Sequence, residues 1–125
     1  MSVLLKSDKI DKLKECLEDL NMKNGNKGCI LCSEEGLVVI STKDGENEIE
    51  FDSLAAMGAT ILSIMNDQIF LDIIVTYENK KVFIRKIEGD ICNFIFINIF
   101  EYNKRYFRRD VNKTIKKISG LLTFN

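Results

Sequence analysis

The sequence contains no histidine, no proline and no tryptophan. Without an imidazole there is no Ser-His or Cys-His pairing, no histidine metal ligand and no side chain whose ordinary pKa falls near neutrality. Cysteine is sparse: Cys16, Cys29, Cys32 and Cys92 are too few and too scattered for a disulfide scaffold in a chain of 125 residues, which is long enough to bury about two thirds of its unfolded surface unaided. No apolar run approaches the ~18 residues of a membrane span. Neither charge sign dominates, with 18 basic and 19 acidic side chains, and 46% hydrophobic content argues for a packed core rather than disorder. The opening MSVLLKSDK has only three apolar residues in a row before Lys6, too short for a signal peptide. These features predict one soluble domain over residues 1–125, in a reducing cytoplasm.

What is present is ordered hydrophobic patterning. Ile10, Leu13, Leu17 and Leu20 fall on one side of a helix that Ser7 or Asp8 can cap and that ends near Asn24-Gly25. Two short apolar runs, Cys29 to Cys32 and Leu37 to Ile40, flank Ser33-Glu34-Glu35-Gly36 and predict a hairpin. Residues from Lys43 to Asp52 read as an acidic exposed loop, with Asp52 or Ser53 capping a second helix. Phe70 to Glu78, Val82 to Ile87 and Ile91 to Phe100 are β-rich and joined too tightly for anything but an antiparallel meander. NFIFINIF is apolar at both parities, as a strand covered on both faces would be, and belongs in the middle of the sheet. Phe107, Val111, Ile115, Ile118 and Leu122 mark a last helix, over about 103–119, with Gly120 as its stop. The order α-β-β-α-β-β-β-α is that of an α+β domain with a helix layer on each side of the sheet.

The second helix is unusual because SLAAMGATILSIMN carries no charge in fourteen residues. On a helical wheel, Leu54, Met57, Ile61, Ile64 and Met65 form a stripe that should cover the sheet. The opposite side is then Ala55, Ala56, Ala59, Thr60 and Ser63. Alanine's high helix propensity is one explanation. The other is close approach of a second protein surface, most simply the same helix of a second copy about a two-fold axis, extended by an adjacent free strand edge.

Candidate chemistry is thin. Cys29 and Cys32 have the spacing of a redox or metal pair, but in a strand that separation puts them on opposite faces, so they read as small buried hydrophobes, reduced and metal-free. The acidic stretch Asp44 to Asp52 lacks the ligand order of a calcium loop. NGNKG is no phosphate loop, GxxxxGK[ST] and a helix-opening GxGxxG are both absent, and the chain should neither bind nor hydrolyse nucleotide. No catalytic, cofactor-binding or metal residues are assigned, and an enzyme is not expected. From Glu101 onward, seven basic side chains face two acidic ones for a net of +5, against −6 for the remainder. A solvated helix face explains much of this, and contact of Arg105, Arg108, Arg109, Lys113 and Lys116 with an anionic partner is the alternative. No signature of specific nucleic-acid binding accompanies them.

Taken together, the pattern resembles the Roadblock / dynein light-chain family over about Asp8 to Leu122. NKGCILCSEEGLVVIST is similar to that family's glycine-bracketed hairpin, with Gly28 and Gly36 at the two glycine positions, and LAAMGATIL to its Ala-rich second helix. The proline often found before the first strand is missing, and the last helix is more basic than the family pattern. The resemblance implies a profilin-like, five-stranded antiparallel sheet in the order 2-1-5-4-3, with two helices on one face and one on the other. It also implies a homodimer, or a heterodimer with a paralogue, formed through the second helix and the edge strand after it. It further implies a role as adaptor or regulator of a small Ras-like GTPase, as scaffold or as dynein subunit, with no active-site residues. A profilin-like sensory or small-ligand-binding domain is the alternative.

Overall fold

In a computed structural model, residues 7–42, 48–64, 72–101 and 108–123 are described. They form α1 (Ser7–Asn21), β1 (Asn26–Ser33), β2 (Val38–Ser41), α2 (Glu48–Ile64), β3 (Ile73–Tyr77), β4 (Lys80–Glu88), β5 (Asn93–Glu101) and α3 (Arg108–Leu122). The five strands make one sheet in the order β2-β1-β5-β4-β3, antiparallel at every pairing.

β5 lies at the centre, and its composition shows why. Phe94, Phe96 and Phe100 point to one face, where they join Leu13 and Leu17 of α1 and Val111 and Ile118 of α3. Ile95, Ile97 and Ile99 point to the other, where they meet Leu54 and Leu62 of α2. Period-two alternation thus builds two cores from one strand, with the larger rings under two helices and the β-branched side chains under one. Where the alternation would place an apolar residue, Asn98 faces the α1/α3 side. Its buried amide donates to Asn26 Oδ1 at 2.7 Å and to the Gly28 carbonyl at 3.2 Å, so the polar group is satisfied by the neighbouring strand. β1 divides in the same way: Cys29 and Leu31 belong to the first core, Ile30 and Cys32 to the second. Burial pushes both thiols up to about 12, so neither forms thiolate near neutral pH.

Two helix boundaries differ from the sequence reading. α2 starts at Glu48, a turn before Asp52 and Ser53, which lie inside the helix and are exposed. The reason is tertiary. Phe51 is buried, with its ring 2.6 Å from where a Cβ on Gly28 would stand, and Glu50 pairs with Lys80 of β4 at 2.7 Å. Both contacts need the helix turn that precedes Asp52, and acidic side chains suit a helix N-terminus. α3 runs through Gly120 to Leu122, because Leu122 is buried and its carbonyl accepts the Asp90 N–H at 3.2 Å. The acidic positions Asp44 and Glu46, together with Met65, Phe107 and Arg105, lie outside the described residues.

Candidate functional site

α2 sits on the sheet by its small residues. The buried positions are Phe51, Leu54, Ala55, Gly58, Ala59 and Leu62, a continuous stripe at helical spacing. A Cβ on Gly58 would lie 3.2 Å from Ile97 Cδ1, so the helix backbone approaches β5 closely. The β1–β2 turn also comes close. Gly36 has φ +90°, and a Cβ there would be 3.1 Å from Ala56 Cα and 3.2 Å from Ala59 Cβ.

The expected sheet-facing stripe is therefore corrected: it is rotated by roughly 100°, one residue's step around an α-helix. Leu54 does face the sheet, but Met57 and Ile61 are only half-buried at its flank and Ile64 is 77% exposed. The group expected on the outer side divides. Ala55 and Ala59 point inward, small because the hairpin turn rests on them, whereas Ala56, Thr60 and Ser63 point outward. Beyond Asp52, the outward face from Ser53 to Ile64 carries no charge, and Ile64 makes it more apolar than the sequence reading implied. Among the described residues β3 pairs only with β4, and Ile74 on it is 50% exposed. The outward face of α2 is thus uncharged, while α2 itself packs over β5, β1 and β2, and β3 ends the sheet as a separate edge.

The arginines occupy a different region. Asp72, just before β3, is a carboxylate that the sequence reading did not single out. Arg85 of β4 donates to it through Nε at 2.8 Å and through Nη2, and Arg108 at the start of α3 donates to its other oxygen. Burial pushes Asp72 up, but the two guanidinium groups outweigh this and hold its carboxyl below the usual carboxylate range. The signal was present in the hairpin. Tyr77 pairs with Lys80 and Ile73 with Ile84, so one step further the register sets Asp72 opposite Arg85.

Replacing Asp72 with Asn should cost roughly 2 kcal/mol of stability at pH 7, because two guanidinium groups lose their counter-charge. A depressed carboxylate stabilises the fold above its unfolded pKa, near 3.8, and that contribution is lost as pH falls through the lower folded value. The difference between wild type and Asp72→Asn should therefore shrink below about pH 4, a change that urea titrations across this range would measure.

Arg85 also lies 5.5 Å from the centre of the Phe83 ring. Beside it, between β4 and α3, opens a groove of about 730 Å³ lined by Arg85, Lys86, Arg109, Asn112, Lys113, Ile115 and Lys116. Of the five residues singled out in the basic C-terminal region, Arg109, Lys113 and Lys116 thus share one groove, Arg108 is tied to Asp72, and Arg105 is outside the described residues. Lys86 and Asn112 are additions, recognisable only once β4 and α3 are known to be neighbours. Among the described residues no group of three metal-ligating side chains occurs, and no helix is long and apolar enough to cross a membrane.

No family model and no curated protein matches the sequence. Solved structures do match in fold. The gliding protein MglB of Thermus thermophilus superposes with a TM-score of 0.79 at 12% identity, over 94% of this chain and 93% of that one. MglC of Myxococcus xanthus gives 0.68 at 12% identity, over 87% and 98% of the two chains. A Roadblock/LC7 domain from Streptomyces avermitilis gives 0.61 at 12% identity, over 87% and 90%. With its 2-1-5-4-3 sheet, α1 and α3 on one face and α2 on the other, the chain has the Roadblock/LC7 fold.

Proposed function

We propose that the protein is a non-enzymatic adaptor or regulatory module that dimerises through α2 and β3 and binds a small Ras-like GTPase. The observation that carries this reading is the outward face of α2, where Ala56, Thr60, Ser63 and Ile64 meet solvent without a charge, together with the β3 edge, which is unpaired among the described residues. Pairing β3 with β3 across a two-fold axis would continue the sheet into a second copy and bury both helices' outer faces. A structure of MglB in a tetrameric arrangement, with a TM-score of 0.75 at 12% identity over 94% of this chain and 93% of that one, is consistent with a fold that assembles. The GTPase follows from the family that the sequence resembles.

The chain has no phosphate loop, so any effect on hydrolysis would come from ordering the GTPase's own magnesium site and water-orienting residue, or from an inserted arginine. Ordering is favoured. Arg85 is held by Asp72 against Phe83, and Arg108 and Arg109 lie in the first turn of a regular helix rather than on a projecting loop.

Sedimentation equilibrium at micromolar concentration should give a dimer, and a monomer would remove the basis of the reading. Immobilised protein should retain a Ras-like GTPase from the native cell extract, identified by mass spectrometry. Replacing Arg105, Arg108 or Arg109 singly with alanine should weaken that binding only modestly, through screened charge. A loss of roughly a thousandfold in stimulated hydrolysis with binding intact would identify an arginine finger instead.

A further inference from the structure

We infer that the groove between β4 and α3 is a binding site for a small soluble polyphosphate, a molecule carrying two or more phosphate groups and no base. This goes beyond the adaptor reading and stands or falls separately from it.

The groove has two walls. On α3, Arg109, Asn112, Lys113 and Lys116 are spaced i, i+3, i+4 and i+7, which places them along one stripe of the helix. Facing them is Arg85 of β4, which shares the side of Phe83 and Ile87, while Lys86 borders the groove from the strand position that alternates to the α2 face. Among the described residues, five cations and an amide donor line the space, and no carboxylate does. Asp72 offsets part of the charge by pairing with Arg85, but Lys86, Arg109, Lys113 and Lys116 meet no carboxylate among the described residues. Like charges gathered in a concavity repel one another, and a bound anion relieves that repulsion.

An ordinary solvated helix face differs in two respects. It has no opposite wall, and its lysines are not arranged around a fixed guanidinium. Here Arg85 is only 21% exposed and is held from below by Asp72 and by the Phe83 ring, so this donor is set in place before a ligand arrives. Ile115 supplies an apolar patch in the same lining.

Size and lining select the ligand. About 730 Å³ suits one small molecule. A single-stranded nucleic acid would need aromatic platforms along an extended track, and no aromatic side chain among the described residues lines the groove. A nucleotide base likewise finds no aromatic face among the described lining residues. A lipid surface is best met by a flat or convex basic face with apolar anchors, whereas these cations surround a concavity. Several phosphates on a compact frame match several cations converging from two walls, because each phosphate accepts charge-assisted hydrogen bonds from more than one donor.

The test uses inorganic tripolyphosphate as the probe, titrated calorimetrically into the full chain at fixed ionic strength. Saturable binding of one tripolyphosphate per chain is expected. Arg109→Ala combined with Lys113→Ala should weaken it roughly tenfold or more, with the thermal melt retained because both side chains are exposed. Lys12→Ala combined with Lys27→Ala removes the same charge elsewhere and should change the affinity less than about twofold. Absence of saturable binding, or an equal loss in both double variants, would overturn the proposal. So would tighter binding of a poly-glutamate peptide than of tripolyphosphate, which would make the groove a docking site for acidic protein. Binding to vesicles bearing polyphosphorylated headgroups without binding to the free probe would place the site at a membrane and also overturn it.

Discussion

Ala59→Glu is expected to destabilise the folded chain by roughly 3–5 kcal/mol, whereas Ala56→Glu should leave the monomer folded and separate the dimer. The two positions are three residues apart in a helix of alanines, and only their orientation distinguishes them. Ala59 is 9% exposed, belongs to the α2-side core, and lies against the Gly36 turn. A carboxylate there would be buried without a partner and would displace the turn. Ala56 is exposed, and its backbone carbonyl accepts the Thr60 hydroxyl at 2.9 Å. Glutamate at 56 reaches solvent past the Gly36 turn in the monomer, but in the proposed two-fold interface it would be desolvated next to its symmetry mate. The dissociation constant should then rise on the order of a hundredfold or more. Ser63→Lys, on the same outward face, should behave like Ala56→Glu. Thermal melts separate the first effect and sedimentation the second. If Ala59→Glu melted like wild type, or Ala56→Glu remained dimeric, the assignment of the two faces of α2 would be wrong.

The sheet was the most legible part of the fold. NFIFINIF announces a strand covered on both faces because phenylalanine and isoleucine occupy alternate parities, and β5 is central in the order β2-β1-β5-β4-β3. The opposite placement of Cys29 and Cys32 follows from period two alone. α1 and α3 were legible because charged residues outline their buried stripes. α2 was not, since without charges the wheel has no polar face to fix its rotation. The larger side chains were assigned to the sheet, and the close approach of Gly36 and Gly58 reversed that order by admitting alanine and glycine inward. The groove was half legible. Arg109, Lys113 and Lys116 stand out in sequence, but the partner wall from β4 and the anchoring by Asp72 depend on contacts between residues far apart in the chain.

The same limit governs glycines, and two of them should respond to substitution with opposite signs. Gly36→Val should cost roughly 3 kcal/mol or more, from two sources that add. Its φ of +90° lies in the region that a β-branched residue occupies only with strain. A Cβ would also press on Ala56 Cα at 3.1 Å and on the Ala55 carbonyl oxygen at 3.2 Å, which are backbone atoms of a helix and cannot rotate aside. The turn would have to lift from α2, loosening the helix whose outer face is proposed to form the dimer, so weakened association should accompany the loss of stability. Gly36→Ala keeps the φ penalty and less of the crowding, and should fall between valine and wild type. Gly120 looks equally like punctuation in the sequence, but it lies within the last turn of α3, is exposed, and has nothing within 4 Å of an added Cβ. Gly120→Ala should therefore stabilise the chain by up to about 1 kcal/mol, the helix propensity difference between the two residues. Urea denaturation of both variants measures the contrast. A stabilised Gly36→Val would show that the hairpin turn does not rest on α2, and a destabilised Gly120→Ala would show that α3 ends before Leu122.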